Sequence, residues 1–88
     1  MEVLGSRPKV MLLALLIEKE EMNITALVKE SGLSYRTAEA HLKELGESGL
    51  ITEKRFGKIR IIKIKKGDPR ITSLRKLLSE WKESSIRI

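Results

Sequence analysis

The four residues Ser31, Gly32, Leu33 and Ser34 leave this chain few ways to fold. Gly32 can take the positive φ that a sharp exit from a preceding helix needs. Leu33 is an apolar plug, and Ser34 can cap a second helix by accepting a backbone N–H from its first turn. Downstream, Ala38, Leu42 and Leu45 are spaced by four and three, so one stripe of that helix faces inward. Tyr35, Arg36, Glu39, Ala40 and Lys43 are left on its outward face, and Gly49 closes it before Leu50 and Ile51 enter a strand-like run. Upstream, Asn23 is placed to cap a short helix whose inward residues are Ile24, Leu27 and Val28. The spacing therefore predicts two helices joined by a three-residue turn.

The flanking segments complete the expected order. Ser6 with Pro8 just inside marks a helix start, after a frayed 1–5. The helix that follows, from Pro8 to about Glu20, is apolar on nearly every face between Val10 and Ile17. Such a helix must be covered on more than one side, by the C-terminal helix or by a second subunit. Glu21 to Ile24 reads as a short connection or a brief strand. From Leu50 to Lys66 the period changes: Gly57 and Lys58 lie between two runs rich in Ile, Thr and Phe, which predicts a β-hairpin with its tip near Phe56 to Lys58. Alternation slips at Ile61 and Ile62, as a bulge or a strand covered on both faces would require. Asp68 and Pro69 then start a last helix on which Ile71, Leu74, Leu78, Trp81 and Ile88 follow a heptad-like track, widened by Leu77 and weakest at Ser85.

Charge is concentrated. Residues 51–66 hold seven Lys/Arg against one acidic residue, a balance of +6 that equals the net charge of the whole chain, whereas residues 1–50 carry −2. Positive charge gathered on one short element is the footprint of polyanion binding. The bland reading, a solvated strand using cations to block edge pairing, does not need Lys54, Arg55, Lys58, Arg60, Lys63 and Lys65 together. Arg55, Lys58 and Arg60 near the tip are therefore assigned to phosphate or minor-groove contact.

Other functions find no support. With no cysteine and a lone His41, neither a disulfide framework nor a clustered metal site is expected, and a reducing cytoplasm is the natural compartment. No Ser/His/Asp set, paired carboxylates or phosphate-cradling Gly loop occurs, so the chain is read as non-enzymatic and without a cofactor. The longest nearly apolar run is far below the roughly 20 residues that cross a membrane. Absent glutamine, one asparagine and abundant Lys, Glu and Ile suggest a thermophilic source.

The order helix, helix, helix, hairpin, helix resembles a winged helix-turn-helix, mainly α with a β-hairpin wing, of the α+β class. Leu33, Ser34, Thr37, His41, Leu42, Leu45, Gly49, Leu50 and Ile51 resemble the DNA-reading region of ArsR-type and MarR-type transcription regulators, in the style of small archaeal DNA-binding proteins. The resemblance covers about residues 8–66, with 68–85 as a C-terminal dimerisation helix in a single domain of 1–88. It implies that Ser34 to Lys43 enters the major groove. Tyr35, Arg36, Glu39, Ala40 and Lys43 match positions that face DNA, and Ser34 and Thr37 match positions that touch phosphate. Arg36 can pair with two guanine acceptors and Ala40 can meet a thymine methyl. Glu39 is the awkward member: it must read a cytosine amino group, pair with Arg36 or Lys43, or tilt away. Metal sensing is not carried over, because its Cys and His ligands are missing.

The function expected is that of a homodimeric, sequence-specific regulator of double-stranded DNA, its seam formed by Leu12, Leu15, Leu74, Leu78 and Trp81 of the first and last helices. No residue points to a small-molecule effector. Two alternatives stand beside it: a protein-interaction module of the transcription or replication machinery, and sequence-neutral coating of nucleic acid by wing charge alone.

Overall fold

The first helix organises the core. The computed structural model describes residues 5–86, with side chains described for residues 5–81. The elements are α1 (Arg7–Lys19), β1 (Glu21–Asn23), α2 (Ile24–Ser31), α3 (Tyr35–Glu47), β2 (Ile51–Phe56), β3 (Ile59–Ile64) and α4 (Pro69–Ile86). Ser6 caps α1 by accepting from Lys9 N at 3.4 Å, with Pro8 in the first turn. Leu12, Leu13 and Leu16 are at most 1% exposed, because α2, α3, α4 and the sheet all pack around α1. Each such side chain contributes about 1.5–3 kcal/mol by leaving water. The helix is thus covered within its own chain on the Leu12, Leu13 and Leu16 side but not at Met11, which is 43% exposed, and Leu12, at 0% exposure, is core rather than seam. Leu74 is likewise buried in the core rather than offered to a partner.

The sheet is larger than the expected hairpin. Its order is β1-β3-β2, all antiparallel, with β3 in the centre. β1 is only three residues long, too short for an alternation to announce it, but Met22 faces inward and pairs across with Ile62. The register of β2 with β3 runs unbroken from Ile51↔Ile64 to Phe56↔Ile59, so the slip at Ile61 and Ile62 is not a bulge. Ile62 and Ile64 point into the core, while Ile61 is half-buried on the other face, opposite Lys54 on one side and Asn23 on the other. The departure from alternation reflects a central strand flanked on both edges.

Hydrogen bonds at the helix ends set the angles between elements. Asn23 caps α2, its Oδ1 accepting from Thr25 N at 2.8 Å. Gly32 ends α2 at φ +74°, a conformation that costs other residues dearly. Buried Ser31 holds the turn from inside: its Oγ donates to Val28 O at 2.8 Å and accepts from Leu33 N at 3.2 Å. At the far end of α3, Gly49 N donates to Gly46 O and Leu50 N to Leu45 O, the paired bonds of a Schellman stop, with Leu45 and Leu50 both buried.

Asp68 opens α4, accepting from Arg70 N at Oδ1 and from Ile71 N and Thr72 N at its carbonyl. Arg70 also donates to Asp68 Oδ2 and to Ser48 O at 2.9 Å, fastening α4 to the end of α3. The Arg70 side chain and N–H together push the Asp68 carboxyl down to about 2. Along α4, burial fades: Ile71 and Leu74 are core, Leu78 is half-buried, and Leu77 and Trp81 are exposed. Of the expected heptad track, Ile88 and the side chain of Ser85 lie outside the described residues.

Candidate nucleic-acid interface

α3 begins where Ser34 Oγ accepts from Thr37 N at 3.1 Å and donates to Thr37 Oγ1 at 2.9 Å. Both hydroxyls therefore stand together at an exposed helix N-terminus, the place where backbone N–H groups favour an anion. With Ala38, Leu42 and Leu45 buried, the 3.6-residue repeat puts Arg36, Ala40 and Lys43 on the outermost stripe, and all three are exposed. The same repeat places Tyr35 and Glu39 on the flank, one turn apart, toward the sheet. His41 lies on the inward side, half-buried, and its Nδ1 has no hydrogen-bond partner among the described residues.

β2 and β3 form the wing, joined by Gly57 and Lys58. Gly57 has φ +61° whereas Lys58 does not enter the left-handed region, the pattern of a two-residue turn with glycine first, matched to strand twist. This turn fixes which side chains share a face. Arg60 falls on the inner row with Ile62 and Ile64, opposite Arg55 and diagonal to Glu53.

Arg60 is fully engaged inside the protein. Its Nε donates to Glu53 Oε2 (2.8 Å), Nη1 to Tyr35 OH (2.7 Å) and Glu39 Oε2 (2.6 Å), and Nη2 to Glu39 Oε1 (2.7 Å) and Glu53 Oε1 (2.8 Å). A guanidinium has five N–H donors, and these five bonds use them all. Its side chain is 16% exposed. Glu53 Oε2 also accepts from Arg55 Nε at 2.9 Å, which relieves the like charges of the facing Arg55 and Arg60. Hydrogen bonds from Arg60 hold the Glu39 and Glu53 carboxyls below their ordinary range, and the two carboxylates raise the guanidinium's own pKa.

The residues assigned from sequence lie on α3 and on the wing, which Arg60 joins, in different states. Arg36 and Lys43 on α3, and Lys54 and Lys58 on the wing, are exposed and make no ion pair with a described carboxylate, while Arg55 is exposed and paired with Glu53. Arg60 does not offer its charge to solvent as expected. Glu39 pairs with Arg60, a partner 21 positions away, rather than with Arg36 or Lys43. Glu53 escaped the sequence reading altogether, as did the exposed apolar pair Phe56 and Ile59 at the wing tip, 64% and 51% accessible. Cross-strand pairing over the two-residue turn was the signal for both.

Among the described residues, no three His, Asp or Glu side chains gather in a way that could hold a metal ion, and no helix is long and apolar enough to cross a membrane.

A family described as winged helix-turn-helix DNA-binding matches residues 9–52, half of the chain. Comparison with curated proteins gives no match. Among solved structures, the fold is similar to that of the antimony-specific transcriptional repressor AntR, with TM-score 0.83 at 20% identity over 99% of this chain and 77% of that one. It is similar to NolR from Sinorhizobium fredii, with TM-score 0.76 at 24% identity over 90% of this chain and 76% of that one. A homodimeric winged helix-turn-helix DNA-binding domain from Mycobacterium bovis, described as a possible ArsR-family regulator, gives TM-score 0.71 at 23% identity, covering 93% and 73%.

Proposed function

The chain belongs to the winged helix-turn-helix DNA-binding family, and on that premise we propose that it is a cytoplasmic, non-enzymatic transcriptional regulator that reads double-stranded DNA as a homodimer. The observation that carries this reading is the outer stripe of α3. Arg36, Ala40 and Lys43 stand exposed and free of ion pairs with described carboxylates, next to Ser34 and Thr37 at the helix N-terminus. An arginine can take both acceptors of a guanine, and an alanine can meet a thymine methyl, so the stripe can discriminate base pairs in the major groove. Lys54, Arg55 and Lys58 supply sequence-neutral attraction along the wing.

A dimer suits this reading. Ala14 and Ile17 of α1 adjoin Leu78 and Trp81 of α4 along one groove, and Met11, Leu77 and Trp81 are 43%, 47% and 72% exposed. The proposed seam is therefore Met11, Leu15, Leu77, Leu78 and Trp81, without Leu12 and Leu74. Two copies would present their reading helices about 34 Å apart, or a multiple of that, on a pseudo-palindromic site. The dimeric M. bovis domain and the named repressors among similar structures are consistent with it.

The test is selection of bound duplexes from a random pool, followed by titration of the selected and a scrambled duplex. A regulator prefers the selected one by about 4 kcal/mol or more, and loses affinity for both as salt rises. Arg36→Ala should remove about 1–3 kcal/mol of that preference at one base position. Equal affinity for every duplex would instead indicate coating, and no binding at low salt an interaction module.

A further inference from the structure

On the reading that α3 enters the major groove, we propose that Arg60 is a positioning residue: it clamps Glu39 of the reading helix to Glu53 of the wing, and does not grip DNA. The wing is the most basic element of the chain, so a phosphate contact is the obvious role for any of its cations. Arg60 differs from its neighbours in having no donor left to give. Binding a phosphate oxygen would require it to release Tyr35 OH or a carboxylate, and in either case the phosphate would be brought against Glu39 and Glu53. Each of the two carboxylates is held by both of its oxygens, through two parallel or forked N–H bonds at 2.6–2.8 Å. Such planar pairing is specific to guanidinium, and a lysine cannot reproduce it.

The clamp does two things for the interface. Glu39 sits one turn from Arg36 and Lys43, where an uncompensated negative charge would repel the backbone of any duplex seated on α3. Arg60 neutralises it and turns it toward the wing, so Glu39 is withdrawn from reading a cytosine amino group. Because Glu39 lies on α3, Glu53 on β2 and Arg60 on β3, the same five bonds, with Tyr35 OH as the last acceptor, also fix the angle between reading helix and wing. Base choice is then left to Arg36, Ala40 and Lys43.

The experiment measures affinity by fluorescence anisotropy over a range of salt, on a duplex selected by the unmodified protein, for wild type, Arg60→Gln, Glu39→Gln and the double variant. Arg60→Gln should weaken binding at least about tenfold, because it leaves Glu39 bare against phosphate. Adding Glu39→Gln should restore affinity to within about threefold of wild type, with the dependence on log salt unchanged. A cation that grips phosphate behaves otherwise: the double variant stays as weak as Arg60→Gln, and the salt slope falls by about one. That result, or an Arg60→Gln variant that binds like wild type, would overturn the clamp. If Arg60→Gln does not fold, Arg60→Lys takes its place; it keeps the charge without the fork, and a loss repaired by Glu39→Gln supports the clamp while full affinity contradicts it. Failure of the wild-type protein to bind any duplex would refute the proposed function itself, and is distinct from failure of the rescue.

Discussion

The seam between α3 and the wing and the outer face of α1 and α4 treat their surplus in opposite ways. The wing region carries more positive charge than any other part of the chain, yet its most central cation is satisfied entirely within the fold. The α1/α4 face belongs to a chain with ample core, yet Trp81 and Leu77 remain uncovered at its rim. In both places a count of residue types misleads about availability. Seven cations in the hairpin segment include one whose donors are all taken, and the apolar run of α1 includes Leu12, Leu13 and Leu16, which no partner can reach. What a surface can bind is decided by which groups are left without a partner after folding.

The largest effect expected from this contrast lies on α1. Leu12→Ala removes a fully buried side chain and leaves a cavity in the middle of the domain, so it should lower unfolding free energy by about 2–5 kcal/mol. Chemical denaturation with a circular dichroism readout would measure it. Trp81→Ala, on α4 and 72% exposed, should leave the fold of each subunit intact and act on the proposed dimer instead, weakening it by about 2 kcal/mol as the loss of a central anchor. Light scattering over a dilution series separates the two. Equal loss of stability in both variants would erase the distinction between core and seam.

A smaller effect is expected at the wing tip. Lys58 is exposed, sits in the turn, and has no ion pair with a described carboxylate. Lys58→Ala should weaken selected and scrambled duplexes alike, by about 1 kcal/mol, and lower the salt slope by about one. It is the control for Arg60: two residues apart in sequence, one cation is proposed to contact the DNA backbone and the other to contact only protein. A sequence-dependent loss at Lys58 would mean that the wing reads bases.

Much of this arrangement was legible in the chain. The turn at Gly32, the cap at Ser34, the stripe of Ala38, Leu42 and Leu45, the stop at Gly49 and the hairpin about Gly57 are local signals, each carried by residues within one turn or one loop, and each is where it was expected. The misreadings are non-local. β1 is not among them: Glu21 to Ile24 reads as a connection or a brief strand, and it is a three-residue strand paired to β3. Leu12 and Leu74 looked like seam residues because helical spacing tells which residues share a face, not what covers that face. Glu39 has no ion-pair partner along its own helix; the one it has, Arg60, comes from the wing. The row Arg60, Ile62, Ile64 already put that arginine on the inward face, and a strict reading of alternation back from the turn would have found it.

The smallest expected effect is on the response to acid, and it tests whether the clamp holds in solution without DNA. Glu39 and Glu53 have carboxyl pKa values lowered by Arg60 from the ordinary 4.5, so their contribution to stability is fully present above that value. It is lost as pH falls through the depressed folded values. Asp68, lowered to about 2 from 3.8 by Arg70, begins to lose its share only below 3.8, and the loss is complete as pH falls through about 2. The thermal midpoint should therefore be flat from neutral pH to just above 4.5 and fall below it, as the clamp and the exposed Glu20–Lys66 and Glu44–Lys9 pairs lose their carboxylates, with the α4 cap joining the fall below 3.8. Arg60→Gln should lower the midpoint at neutral pH and make the fall below 4.5 shallower; Arg70→Gln should make shallower the part of the fall that lies below 3.8. The partly exposed clamp contributes little, about 0–1 kcal/mol, so melts need to resolve a few degrees. If Arg60→Gln follows the wild-type pH profile in parallel, the five bonds do not persist in the free protein, and the wing and α3 are held together by Ile51, Ile62 and the core alone.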